Sequence, residues 1–197
     1  SLVLLGAGKV SPSGFSPECA DLYLIRAYGS EVTRLTHHGP GEYVTAAAFS
    51  PDGRTIAYSS RDGISILDIA TGESRLVRGC DSSYAYTGSI AWAPSGEQFA
   101  IVCNDQVVVV DPVEARATRT ATGAGNVLAI GWSGDTVVAA RIGGLEPAAH
   151  VRIDRIDPAS ERVEVGGSLA DEGIEWVAGG NGPVSPDGTQ IPIEGGR

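Results

Sequence analysis

The chain has 197 residues, with 14 Lys plus Arg against 24 Asp plus Glu and a formal charge of −10 at pH 7. Lys9 is the only lysine and the arginines are scattered singly, so the clustered cations that displace counterions from a polyanion or settle on an anionic lipid face are missing; nucleic-acid binding and membrane insertion are not expected. No apolar run reaches the ~18 to 20 residues that cross a bilayer as a helix, and the length suits one domain, or at most two, with a sizeable core.

In chain order, Leu2 to Leu5 followed by Gly6-Ala7-Gly8 reads either as the stump of a secretory hydrophobic segment or as a first β-strand, the strand being the expectation. From there 27 glycines and 11 prolines punctuate the chain at short intervals. No stretch holds apolar residues at helical spacing for three turns, so the chain reads as all-β. Strands are expected at Thr55 to Ser60, Ile64 to Ile69, Gln98 to Cys103, Gln106 to Asp111, Val127 to Trp132 and His150 to Ile156, each rich in Val, Ile, Tyr or Thr. The run Val107 to Val110 does not alternate with polar residues, which implies a strand covered on both faces and hence sheet stacked on sheet.

The tetrad Ser50-Pro51-Asp52-Gly53 recurs as Ala93-Pro94-Ser95-Gly96, in the degraded form Ser133-Gly134-Asp135, and as Ser185-Pro186-Asp187-Gly188, with an earlier echo at Ser11-Pro12-Ser13-Gly14. The period is near forty residues. Proline presets φ at the second position, Asp or Ser bonds its own backbone and glycine accepts positive φ, so each tetrad reads as a hairpin. A bulky residue precedes it, Phe49, Trp92 or Trp132, suited to wedging one sheet against the next. A second strand follows, then a third that runs into another hairpin at Asp68, Asp111 or Asp157, then a fourth. Four strands per ~40 residues is the spacing of a β-propeller blade.

The segment Ala46 to Tyr58, with Ser50-Pro51-Asp52-Gly53 at its centre, resembles the WD40-like repeat of TolB-type β-propellers, and Asp21 to Ser30 followed by Arg34-Leu35-Thr36 resembles the outer half of that repeat. No Gly-His or Trp-Asp dipeptide of the true WD repeat occurs. The resemblance implies one propeller domain over residues 1–197, built of four-stranded antiparallel blades in about five units at 1–36, 37–79, 80–121, 122–168 and 169–197. Two arrangements stay open. Either the N-terminal strands complete the final sheet and close a ring, which is the expectation, or the chain is a piece of a larger propeller.

In such a blade the loops between strands two and three and the connections to the next blade emerge on one face, the two hairpins on the other. This places His37, His38, Glu42, Tyr43, Arg61, Asp62, Asp81, Tyr84, Tyr86, Asn104 and Asp105 on a shared face. Tyrosine, histidine and carboxylate together suit an adaptable protein-binding surface; the blander reading has these as ordinary polar loops, with Tyr84 and Tyr86 packed between blades. His37 and His38 with Asp62 form a weak metal or acid/base candidate, because adjacent residues on extended backbone point opposite ways; no metal is expected, and His150, heading a strand, reads as structural. Asp52, Asp62 and Asp187 lack the dense spacing of a calcium loop. No Gly-x-Ser-x-Gly nucleophile elbow exists, nor the third glycine and helix that a phosphate loop needs after Gly6-Ala7-Gly8 or Gly123-Ala124-Gly125. No cofactor is implied.

Cys80 and Cys103 can approach on the shared face, and a disulfide there, with Cys19 left over, fits an oxidising compartment; the alternative is three reduced thiols. Arginine in nearly every basic position, with abundant Ala and Gly, points to a GC-rich bacterial source. The expectation is a non-enzymatic, extracytoplasmic propeller scaffold that binds a protein or peptide on its loop face. The alternatives are a gating or ligand-binding module of an enzyme, prolyl oligopeptidase-like or other, whose catalytic part lies outside this chain, and a cytoplasmic location.

Overall fold

The computed structural model describes residues 2–10, 17–26, 31–39, 42, 44–80, 90–104, 106–121, 126–143, 150–168, 176–178 and 194–196, and every regular element among them is a β-strand. Strands β1 (Leu2–Val10), β2 (Pro17–Arg26) and β3 (Val32–Arg34) form the first sheet. The second contains β4 (Ala46–Phe49), β5 (Thr55–Ser60), β6 (Gly63–Asp68) and β7 (Ser74–Leu76); the third β8 (Ile90–Trp92), β9 (Phe99–Cys103), β10 (Gln106–Asp111) and β11 (Arg116–Ala121). The fourth contains β12 (Asn126–Ser133), β13 (Thr136–Gly143), β14 (His150–Asp157) and β15 (Arg162–Ser168), and β16 (Trp176–Ala178) pairs with β17 (Glu194–Gly196) in the last. Each sheet is an antiparallel meander in chain order.

The tetrads at 50–53 and 93–96 form the expected hairpins. The Gly53 amide donates to Ser50 O and the Gly96 amide to Ala93 O, both at 2.9 Å, with φ of 70° and 75° at the two glycines, a region that L side chains rarely adopt. The turns after the third strands are closed by Asp68, Asp111 and Asp157, whose carboxylates accept the amides of Ala70 and Thr71, of Val113 and Glu114, and of Ala159.

One expectation needs correction at the N-terminus. β1 pairs forward with β2, from Leu2 opposite Arg26 to Val10 opposite Pro17, so it belongs to the first sheet and does not complete the last. Its register against β2 matches that of β5 against β6, where Thr55 lies opposite Asp68. β1 therefore occupies the second-strand position, and the connection from β1 to β2 is not the tetrad hairpin of the later sheets. The sites at 50–53, 93–96 and 133–135 separate the first and second strands of their sheets instead. Residues 11–14 and 185–188 lie outside the described set.

The sheets stack face to face because their middle strands are apolar on both sides. Leu22 of the first sheet meets Ile56, Tyr58 and Leu67 of the second. Ala57, Ile64 and Ile66, on the other face of the second sheet, meet Phe99, Ile101, Val108 and Val110 of the third. Val107 and Val109, the alternate members of the valine run, turn to Ile130, Trp132, Val137 and Ile156 of the fourth. Period-two alternation thus feeds two cores from one strand.

Directional bonds fix how each sheet meets the next. The Trp92 indole N–H donates to Ala48 O at 3.1 Å, and the Trp132 indole N–H to Ala91 O at 2.8 Å, so the first strand of one sheet is tied to the first strand of the sheet before it. At the outer edge Arg75 donates to the carbonyls of Pro112 and Val113 at 2.9 and 2.8 Å, and Arg78 and β11 exchange backbone bonds: the Arg78 amide to Ala115 O at 2.9 Å and the Ala117 amide to Arg78 O at 2.8 Å. Trp132→Phe keeps the ring but removes the indole donor from the part-buried Ala91 carbonyl, and is expected to destabilise the chain by about 1 kcal/mol, read as a lower urea midpoint at unchanged m-value.

Candidate functional site

Antiparallel alternation puts the turn after each second strand and the connection that follows each fourth strand at the same end of the sheets. Arg61 and Asp62 sit exposed at the β5–β6 turn, Asn104 is exposed at the β9–β10 turn with φ of 51°, and His37 is exposed in the connection after β3. Glu42 lies in that same connection, half-buried, and its Oε2 accepts the Gly39 amide at 2.8 Å. Tyr43, Asp81, Tyr84, Tyr86 and Asp105 lie outside the described residues.

A disulfide joins Cys80, in the connection after β7, to Cys103 at the end of β9, with Cα atoms 6.0 Å apart. Both cysteines are buried, so the bond anchors the entry to residues 81–89 against the third sheet. Cys19 and His150 lie in β2 and at the start of β14, and their side chains are outside the described set.

His38 does not join Asp62. It turns to Asp21, midway along β2, with Nδ1 3.1 Å from Oδ1 and the His38 amide donating to the same oxygen at 2.8 Å. The Thr36 hydroxyl donates to Oδ1 at 2.9 Å and Arg34 pairs with Oδ2. Burial acts to raise the Asp21 carboxyl, but the His38 amide, the Thr36 hydroxyl and the Arg34 guanidinium outweigh it and hold the group below the usual carboxylate range. The His38 ring meets Tyr58 edge to face at 6.1 Å. These contacts give His38 a structural task, locking the connection after β3 onto the first and second sheets. Sequence reasoning missed this network because its partners lie 13 to 17 residues apart with no local motif; the only signal was an aspartate beside the apolar run Leu22 to Ile25.

At the opposite end of the sheets the two tetrad turns, the β10–β11 turn and Arg75 enclose a groove of about 670 Å³ between the second and third sheets, with Ile66 and Trp92 beneath it. Asp52 stands on its rim. The Ser50 hydroxyl, at 2.7 Å, and the Arg54 amide, at 3.0 Å, both donate to Asp52 Oδ1 and hold that carboxyl below its ordinary value. Asp52 therefore serves the hairpin, and its partners are chain donors.

No family model matches the chain, and no curated protein does. Solved structures do match. The WD40 repeats of RRP9 superpose with a TM-score of 0.53 at 13% identity over 66% of this chain and 40% of that one, and the Cps50 (Swd1) β-propeller domain of Myceliophteria thermophila with a TM-score of 0.50 at 17% identity over 62% and 38%. The fold is a WD40-like β-propeller. Hydrazine synthase from Kuenenia stuttgartiensis matches with a TM-score of 0.61 at 20% identity, over 74% of this chain and 42% of that chain. The propeller described here spans less than half the length of each of these chains.

Two measurements check the ties at the loop end of the propeller. Because the folded-state pKa of Asp21 is depressed, its stabilising contribution is present above the unfolded value of about 4 and is lost as pH falls through the folded value. Asp21→Asn is expected to cost about 1 to 3 kcal/mol at pH 7 and to flatten the acid limb of the stability-versus-pH curve, followed by denaturant titration at several pH values. Reducing Cys80–Cys103, which closes a sequence separation of 23 residues, is expected to cost about 3 kcal/mol, visible as a lower melting temperature in reductant that Cys80→Ser/Cys103→Ser reproduces without it.

Proposed function

We propose that this propeller is a non-enzymatic scaffold that presents its loop face to a protein or peptide partner. The observation that carries the reading is the contrast between that face and what lies beneath it: His37, Arg61, Asp62 and Asn104 are exposed, while the strands that flank Arg61, Asp62 and Asn104 are largely buried and tied sheet to sheet. A rigid platform with varied polar loops loses little ordering entropy on binding. The fold of RRP9 and Cps50 supports the scaffold, and the binding face is our reading of it. Tyr43, Tyr84 and Tyr86 would add the aromatic anchors that concentrate binding energy, and Glu42, Asp81 and Asp105 its acidic component.

The chain lacks a nucleophile elbow, and its described acid–histidine pair, Asp21 with His38, is engaged in structure. The likeness to hydrazine synthase favours one second reading: a propeller module of an enzyme whose catalytic part lies outside residues 1–197. The buried disulfide supports an extracytoplasmic location, where oxidised cysteine pairs persist.

The readings separate in one experiment. Bait carrying Tyr84→Ala and Tyr86→Ala together with Arg61→Ala and Asp62→Ala is compared with wild type in crosslinked capture from the native source. Recovery of the partner is expected to fall by about tenfold or more, the loss of a few anchor contacts; equal recovery would remove the loop face from the account.

A further inference from the structure

The geometry points to an interface between two copies of this chain: β1 pairs along its open edge with β1 of a second copy, antiparallel across a two-fold axis at Gly6.

In the second, third and fourth sheets the second strand is enclosed, β5 by β4 and β6, β9 by β8 and β10, β13 by β12 and β14. β1 holds the same position in the first sheet but stands at its edge, with β2 on one side and, among the described residues, no strand on the other. Along Leu2–Val10 the outward amides and carbonyls therefore form a template for a further strand. The other edges of the first four sheets are closed or blunted. The first strands β4, β8 and β12 are joined to one another through the Trp92 and Trp132 indoles, and β11 exchanges backbone bonds with Arg78. β3 and β7 are three residues long with an arginine in each, and β15 carries Arg162 and Glu164. Residues 2–8 of β1 hold neither a charge nor a proline, two devices that keep an edge from pairing.

The second sheet makes no demand on an innermost strand in the first. Trp92 and Trp132 each reach a carbonyl on the first strand of the sheet before, whereas Phe49 holds the corresponding place in β4 and has no N–H to donate. The position beside β1 thus lacks the tie that fixes first strands elsewhere, and a strand from another molecule can take it.

The sequence of β1 complements itself. In the antiparallel register centred on Gly6, Leu2 lies opposite Val10, Val3 opposite Lys9, Leu4 opposite Gly8 and Leu5 opposite Ala7. All nine residues pair, the two central leucines meet small residues, and the single charge on each strand, Lys9, faces a valine and not its own twin. A parallel alignment in register would set Lys9 against Lys9. The net charge of −10 on each copy opposes association, so the contact strengthens as salt screens it.

Sedimentation equilibrium of the whole chain at up to about 0.1 mM, a range suited to an interface of one strand pair, is expected to show twice the chain mass, more fully at higher salt. Gly6→Lys sets two lysines opposite each other at the axis and Gly6→Glu two glutamates, so each variant alone is expected to be monomeric with an unchanged circular dichroism spectrum, and an equimolar mixture to recover the dimer. In a Cys19→Ser background, Gly6→Cys is expected to give a covalent dimer on mild oxidation, because opposed residues of an antiparallel pair lie within disulfide reach. A wild-type chain that is monomeric at that concentration, a dimer that persists in both charge variants, a mixture that stays monomeric, or a failure of Gly6→Cys to crosslink would overturn the proposal. The interface uses no residue of the loop face, so the capture experiment and this one succeed or fail separately.

Discussion

The hydrogen bonds by which Trp92 and Trp132 each reach the sheet before their own are the constraint on which the arrangement depends. Apolar burial between sheets is non-directional, and would tolerate sliding of one sheet over another. The indole N–H of Trp92 on Ala48 O and of Trp132 on Ala91 O do not. An indole N–H that loses water on packing between sheets carries a desolvation penalty, and the carbonyl it meets relieves it. The first strand of one sheet is thereby registered against the first strand of its neighbour, and the bonds from Arg75 and Arg78 to the β10–β11 turn and β11 register the outer edge. Between the second and third sheets these two points of registry define an angle, which is what a radial stack of sheets requires.

Rigidity of the stack makes its two ends chemically distinct. At the loop end the connections are long and are held by tertiary ties, the Cys80–Cys103 bond and the Asp21 network. At the hairpin end the turns are short and self-sufficient, each organised by its own aspartate or serine. Long connections can vary in sequence without disturbing the strands, whereas the hairpins use their polar side chains internally. The groove at the hairpin end lies between turns of adjacent sheets and belongs to no single repeat.

The left-handed position in the turns after the third strands shows the repeat tolerating departures from its ideal. Gly72, Ala115 and Glu161 stand at corresponding places, four residues after Asp68, Asp111 and Asp157, with φ of 73°, 48° and 58°. Only one is glycine. The aspartate cap and the flanking strand pairs hold the other two in a conformation that costs about 1 kcal/mol or more, so the hairpin geometry is imposed by the sheet as much as by the residue at its corner.

The residues themselves determined the local plan. Val107 to Val110 is buried on both faces because four consecutive apolar β-formers leave no solvent side, and the tetrads turn because proline, a short polar side chain and glycine favour that backbone. These signals are local in sequence, so they can be read without coordinates. Tertiary structure alone decided the rest. The first tetrad echo looked like a hairpin of the later type, yet β1 holds a second-strand position, because pairing register is set by partners that no short motif encodes. His38 faces Asp21, not Asp62, and the groove beside Asp52 is assembled from three turns and an arginine that are separate in the chain. Contacts between distant segments depend on where the stacked sheets place them, and that placement follows from packing and buried hydrogen bonding across sheets, not from any one stretch of the polypeptide.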